Sequence, residues 1–258
     1  MEERTALVSI NSASRANRSG TSPNNYISTF GDLSDVFAIQ IISAEIPNGQ
    51  YQVNQYNSAL DVSINGAAAQ TTYIGVGNYS VTDLALAVQS ALQDLDINFT
   101  VSFSSITDRL QIEHATLPFA LLFASGSSRQ FGSAALLGFS RDFDFESKIS
   151  GLLNVAIAPY IVQLQGDPYV YICLQGIGTI GNSEGIPDVA AKVVFPTATR
   201  TASLNSLVAP IIKFDAVLGI FRSLHVSLCR PDGTLYDCNN MDHSFTLQVW
   251  QLPAQYYY

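Results

Sequence analysis

Charge is what this sequence has least of. Of 258 residues only 13% are Asp, Glu, Lys or Arg, while 47% are hydrophobic and the mean hydropathy is +0.19. Globular domains usually carry ~25% charged residues. A disordered chain needs low hydrophobicity and high charge, so this one folds. Cations are scarcer still: 12 Lys and Arg face 21 Asp and Glu, a formal net charge of −9. Nucleic-acid binding draws on clustered cations that displace counterions from phosphates, and direct binding is not expected. No apolar run reaches the ~18 residues that cross a bilayer. The opening MEERTALVSINSASRANRSG lacks the hydrophobic core of a secretory signal, so the expectation is no membrane span and synthesis in the cytoplasm.

Reactive side chains are few. The three cysteines, Cys173, Cys229 and Cys238, are odd in number and have no C-x-x-C spacing, which disfavours a zinc site or a disulfide framework. A two-residue turn at Asp232-Gly233 would set Cys229 opposite Tyr236 and leave Cys238 on the diagonal, where Cα atoms stand ~7 to 8 Å apart, too far for easy bridging. Reduced, buried thiols are the expectation. The N-x-S/T triplets at Asn17, Asn78 and Asn98 read as chance matches without a secretory signal.

His114, His225 and His243 are the three histidines, and no G-x-S-x-G accompanies them. His225 alternates with Leu224 and Val226, which marks a strand residue facing away from the core. Asp232, Asp237, Asp242 and His243 crowd together, yet they lack the spacing of a calcium loop and suit turns instead. Gly176 to Gly181 spell G-x-G-x-x-G, but Asn182, Ser183, Gly185 and Pro187 follow where dinucleotide binding requires a helix. Glu45, Glu113, Glu146 and Glu184 cannot be paired across a cleft from sequence. No catalytic residue, cofactor or metal site is assigned, and the chain is not expected to be an enzyme.

What the sequence does have is alternation. Residues 1–35, rich in Ser, Asn and Thr and holding Arg4, Arg15 and Arg18, read as an N-terminal arm, because such a segment orders only by lying on a neighbour or on its own domain. From Val36 to Glu45 apolar residues recur with a strand's period, ending at Pro47-Asn48-Gly49. Leu60 to Ile64 and Tyr73 to Val76 continue the pattern, with Asn65-Gly66 and Gly77-Asn78 as turns. One helix interrupts it: Ser80 and Asp83 resemble a capping box, and Val81, Leu84, Ala85, Val88, Ala91, Leu92 and Leu95 form an apolar stripe. A ribbon of Phe99 to Phe103 and Leu110 to Ile112 follows. Further strands are expected at 153–157, 169–174, 189–195, 211–215, 224–228 and 245–250.

Short strands with a single helix predict a mainly all-β fold, an antiparallel jelly-roll sandwich with one helix-plus-hairpin module. The expected organisation is an arm at 1–35 and one domain at 36–258, with the module inserted at about 78–146. So few charges leave an outer surface of polar uncharged and apolar atoms, as on a surface that other protein covers. The final Gln255-Tyr256-Tyr257-Tyr258 lies either on its own domain or on a neighbour.

Three stretches carry a resemblance. SINSASRANRSGTSPNNYISTF leading into VFAIQIISAEIPNGQYQVN resembles the start of penton or minor capsid proteins of large DNA viruses, virophages and Polinton-like viruses. GNYSVTDLALAVQSAL with FTVSFSSITDRLQI and ALLGF is similar to a helix-plus-hairpin module of such virion proteins. LHVSLCRPDGTLYDCNNMDHSFTLQVWQL is similar to the closing strands of their jelly roll. The resemblance implies a structural virion protein, a homopentamer at the icosahedral vertex that contacts the major capsid protein and other minor capsid proteins. The residues expected at contacts between subunits are Arg15, Arg18, Tyr26 and Phe30 in the arm and Tyr256, Tyr257 and Tyr258 in the tail. The rival reading is a fibre or glycan-binding module in which Tyr160, Tyr169, Tyr171 or Trp250 stacks on sugar.

Overall fold

The computed structural model describes residues 4–178, 180–195 and 207–253. The chain divides into two compact units, residues 1–50 with 167–258 and residues 51–166.

The first unit is a seven-stranded antiparallel sheet. Its strands are β1 (Arg4–Asn11), β2 (Asn25–Glu45), β11 (Tyr169–Leu174), β12 (Val189–Val194), β13 (Leu207–Val208), β14 (Ile212–Cys229) and β15 (Ser244–Gln251), in the spatial order β1-β15-β2-β14-β11-β12-β13. Two long strands give it its shape. The second half of β2 pairs with β15 from Val36 to Glu45, and β14 pairs along β2 from Asn25 to Ile39. Register shifts in β14 fall between Lys213 and Leu218 and between Phe221 and Ser223. The first leaves extra residues on β14 and the second on β2; such bulges bend their strands, and the sheet curls into a half-barrel. Ile10, Tyr26, Ile39 and Ile41 from one side of the curl and Val170, Ile172, Val193 and Val226 from the other share one buried cluster with Phe245, Leu247 and Val249. Along β15 burial alternates residue by residue, the pattern of a strand with one face in the core.

The second unit has its own core. It holds β3 (Ala59–Ile64), β4 (Gln70–Tyr73), α1 (Val81–Gln93), β5 (Phe99–Ser104), β6 (Arg109–His114), β7 (Phe119–Leu121), α2 (Ala134–Leu137), β8 (Phe145–Glu146), β9 (Lys148–Ser150) and β10 (Leu153–Ile157). Two four-stranded sheets, β5-β6-β10-β9 and β4-β3-β7-β8, and α1 enclose a cluster that includes Leu60, Leu84, Val88, Leu92, Phe99, Ile112, Phe119 and Leu137. Ser80 caps α1: its Oγ accepts from the Asp83 N–H at 3.1 Å and donates to Asp83 Oδ2 at 2.6 Å. Leu84, Ala85, Val88, Ala91 and Leu92 are the buried stripe.

The mainly β, antiparallel class agrees with expectation, and several elements fall at other positions than the sequence suggests. The 35/36 boundary falls inside β2, where Asp35 takes a left-handed φ of 53°, and the first eight arm residues described form a strand paired throughout with β15. The second unit spans 51–166, wider than the 78–146 expected for the insertion, and β3 and β10 contribute Leu60, Val62 and Ala156 to its core. Segments 211–215 and 224–228 are one strand, joined through the bulges. The turn after β14 holds three residues: Arg230 N–H donates to Thr234 O at 2.7 Å and Gly233 has φ 83°, so Cys229 bridges Leu235 and not Tyr236. All three cysteines are free and buried.

Candidate interaction site

Two of the residues expected at subunit contacts in the arm, Arg15 and Arg18, meet at Asp242. β1 ends opposite Ser244, which carries the next residue, Ser12, to His243. Ser12 N–H donates to His243 O and His243 N–H to Ser12 Oγ, both at 2.9 Å, while Ser12 Oγ donates to Asp242 Oδ1 at 2.9 Å. Arg15 donates from Nη1 to Asp242 Oδ1 at 2.8 Å and to Ser12 O at 2.7 Å, and Arg18 Nη2 reaches Asp242 Oδ2 at 3.0 Å. Burial pushes the Asp242 carboxyl up, but hydrogen bonds from Ser12 and Arg15 and the two guanidinium charges outweigh it and hold it below its ordinary value.

His243 lies beneath this carboxylate. Its Nε2–H donates to Pro23 O at 2.8 Å, and its ring stacks on Phe245 and tilts against Tyr26. Burial lowers it to about 4, so the ring is neutral at pH 7. Desolvation likewise raises the Tyr26 phenol well above its ordinary range.

The seven expected contact residues therefore have different fates. Arg15, with 8% of its side chain exposed, and Tyr26, at 2%, are used inside the chain. Phe30 is half-buried against Phe221, ring edge to face at 5.1 Å. Arg18 keeps 60% of its side chain in solvent. Tyr256, Tyr257 and Tyr258 lie outside the described residues. The partners sequence reasoning missed are Ser12, Asp242 and His243. The one signal that finds them is the pairing of β1 with β15, a contact between the chain's two ends.

Beside this cluster a shallow groove of ≈ 390 Å³ is lined by Gly20, Thr21, Ser22, Asn25, Ile27 and His225, among others. His225 is half-exposed and bridges neighbouring strands, with Nδ1 on Gln175 and Nε2 2.7 Å from Asn25 Oδ1. His114 is fully buried in the second unit, where its Nδ1 accepts from Leu117 N–H at 2.9 Å and its Nε2 faces Asp96 at 3.2 Å. Each histidine thus has a structural position. Among the described residues no group of three His, Cys, Asp or Glu side chains could hold a metal ion, and no helix is long and apolar enough to cross a membrane. Residues 176–178 and 180–181 belong to a loop. A Cβ on Gly178 would lie 1.8 Å from the Asp188 carbonyl carbon, so this glycine serves close backbone packing.

Of the aromatics of the glycan reading, Tyr169 and Tyr171 meet edge to face at 5.2 Å. Lys192 Nζ sits 3.7 Å over the Tyr169 ring, Tyr171 is 5% exposed, Trp250 is half-buried, and Tyr160 belongs to the other unit.

The outer edge of β1 pairs with no strand among the described residues. An open edge presents unpaired N–H and C=O groups and is a template for pairing with another chain. On its outward face Leu7 is 68% exposed.

The fold and these surfaces define a mainly antiparallel β protein with an open sheet edge. Residues 1–212 match the model of a family of unknown function, DUF5901, and the chain belongs to that family. Two solved structures are similar to it in fold. The mavirus penton protein is 9% identical, with a TM-score of 0.47 over 96% of this chain and 100% of that one. A chain in the cryo-EM structure of the Sputnik virophage is 10% identical, with a TM-score of 0.44 over 97% of this chain and 98% of that one. No curated protein sequence matches.

Proposed function

We propose that this chain is a structural virion protein, a penton subunit whose copies close a homopentamer at the icosahedral vertex and contact the surrounding major capsid protein. The observation that carries the reading is the joint placement of two resembling stretches. The arm with its following strand and the closing stretch come from opposite ends of the sequence, yet they supply the neighbouring strands β1, β15, β2 and β14. The surface supports it too. Ionised groups are sparse, β1 leaves an open edge, and large apolar side chains such as Leu7, Ile27, Ile42 and Ile220 stand exposed on the same unit. A head-to-tail contact repeated by a closing rotation gives a ring, and permanent interfaces of this kind bury ~2,000 Å² or more. In this reading Arg18 and the terminal tyrosines are contact residues, while Arg15 and Tyr26 hold the arm in shape.

The test is to locate the subunit in particles, by labelling a tag on this chain and imaging at low resolution. Five-fold density at the vertices is expected. Label on projecting fibres, with saccharide binding on a glycan array, would replace this reading with the attachment module.

A further inference from the structure

The connection between β1 and β2, residues 12–24, is tied mainly to the far end of the chain. Asp242 accepts from Ser12, Arg15 and Arg18, and the His243 ring holds Pro23 O. Arg15 Nε also reaches Thr21 O at 3.3 Å. Two side chains of one loop thus hold both ends of this connection. We propose that residues 12–24 and the Asp242–His243 pair form a proton-operated clasp, latched at neutral pH, that on acidification frees the connection with Arg15 and Arg18 while the sheet persists.

His243 is 3% exposed. Its Nε2–H already serves Pro23 O, and its Nδ1 has no partner among the described residues. A proton arriving at Nδ1 would find no acceptor. It would also make the buried ring a cation, whose desolvation cost outweighs the favourable Pro23 carbonyl and Asp242 carboxylate, with the Arg15 charge adding to that cost. A proton on Asp242 removes the charge that holds both arginines. Both events act in the same direction.

Burial depresses His243 to about 4, below the ~6.5 of the free imidazole, so its contribution is complete above ~6.5 and is lost as pH falls through about 4. Asp242 is also held below its ordinary value, so the stability it adds is present above that ordinary value and is lost as pH falls through the depressed one. The other titratable neighbours are Tyr26 on β2 and Cys238 in the loop before β15, with the exposed Asp237 beside it. Burial raises Tyr26 and Cys238, the latter to about 12, so both stay neutral in the acid range. β1 itself is held separately, by its ladder to β15 and by buried Ile10.

Hydrogen exchange of the full chain, read by mass spectrometry from pH 7 to 3.5 and corrected for intrinsic rates, tests the clasp. Peptides spanning 12–24 are expected to lose at least ~tenfold in protection as pH drops from 6 to 4, with β11 and β14 unchanged. Asp242→Asn is expected to show the released pattern already at pH 7. Arg18→Ser removes only the more exposed ion pair, and it is expected to move the release to higher pH by weakening the field that keeps Asp242 ionised. Wild-type 12–24 still protected at pH 3.5, or losing protection only together with β11 and β14, would overturn the proposal, as would release in Arg18→Ser at the wild-type pH. If Asp242→Asn does not fold, the wild-type and Arg18→Ser titrations decide the matter.

Discussion

Two arginines three positions apart share one carboxylate and differ in what they contribute. Arg15 has 8% of its side chain exposed and holds Asp242 and two backbone carbonyls, whereas Arg18 has 60% exposed and makes a single ion pair. Removing a mostly buried partner leaves acceptors unsatisfied, while an exposed pair contributes ~0 to 1 kcal/mol. Arg15→Ala is therefore expected to lower unfolding free energy by about 2 to 3 kcal/mol in urea melts, and Arg18→Ala by less than ~0.5 kcal/mol. Equal costs would refute the assignment of Arg15 as the structural arginine. Tyr26→Phe is a companion test. The Tyr26 hydroxyl is buried without a partner among the described residues, so deleting it is expected to be neutral or stabilising by up to ~1 kcal/mol. At this scale the sequence marked Arg15, Arg18 and Tyr26 as worth attention but not for what they do. Their partners are more than 200 positions away, and the arm's few apolar residues gave no sign of burial at Tyr26.

Elements were far more legible. The ranges 153–157 and 169–174 match β10 and β11 as read, and Ser80 caps α1, because alternation, a capping box and a 3.6-residue stripe are local signals. Failures came where a bulge separates pairing from periodicity. β14 looked like two strands because Gly219 and the shift at 213–218 break the alternation without ending the strand. β4 lies at 70–73 and reaches only the first of the apolar residues that suggested it, Tyr73, since its pairing to Leu60 and Val62 is made through Thr72 and Gln70. The Gly-rich loop offers an element-scale prediction. A side chain at Gly178 collides with the Asp188 backbone, which cannot yield as a flexible side chain would. Gly178→Ala is expected to cost about 1 to 3 kcal/mol and to raise exchange in 175–188. Gly181→Ala, with nothing within 4 Å, should leave stability within ~0.5 kcal/mol.

For the whole molecule, the class was readable and the partition was not. Mainly antiparallel β follows from many short alternating runs, but the border at Gln50 and Gly166 depends on which strands complete which core, and both units use the same apolar vocabulary. The sparse ionisation has its meaning at this scale. A surface short of charge and bearing exposed Leu7 beside an open β1 edge is suited to contact with further copies. The most direct test is native mass spectrometry of the purified full-length chain across a concentration series at pH 7. The account predicts a discrete closed oligomer of five 27.9 kDa subunits, weakened by Leu7→Lys. A monomer persisting at every concentration, with Leu7→Lys indistinguishable from the parent, would contradict it.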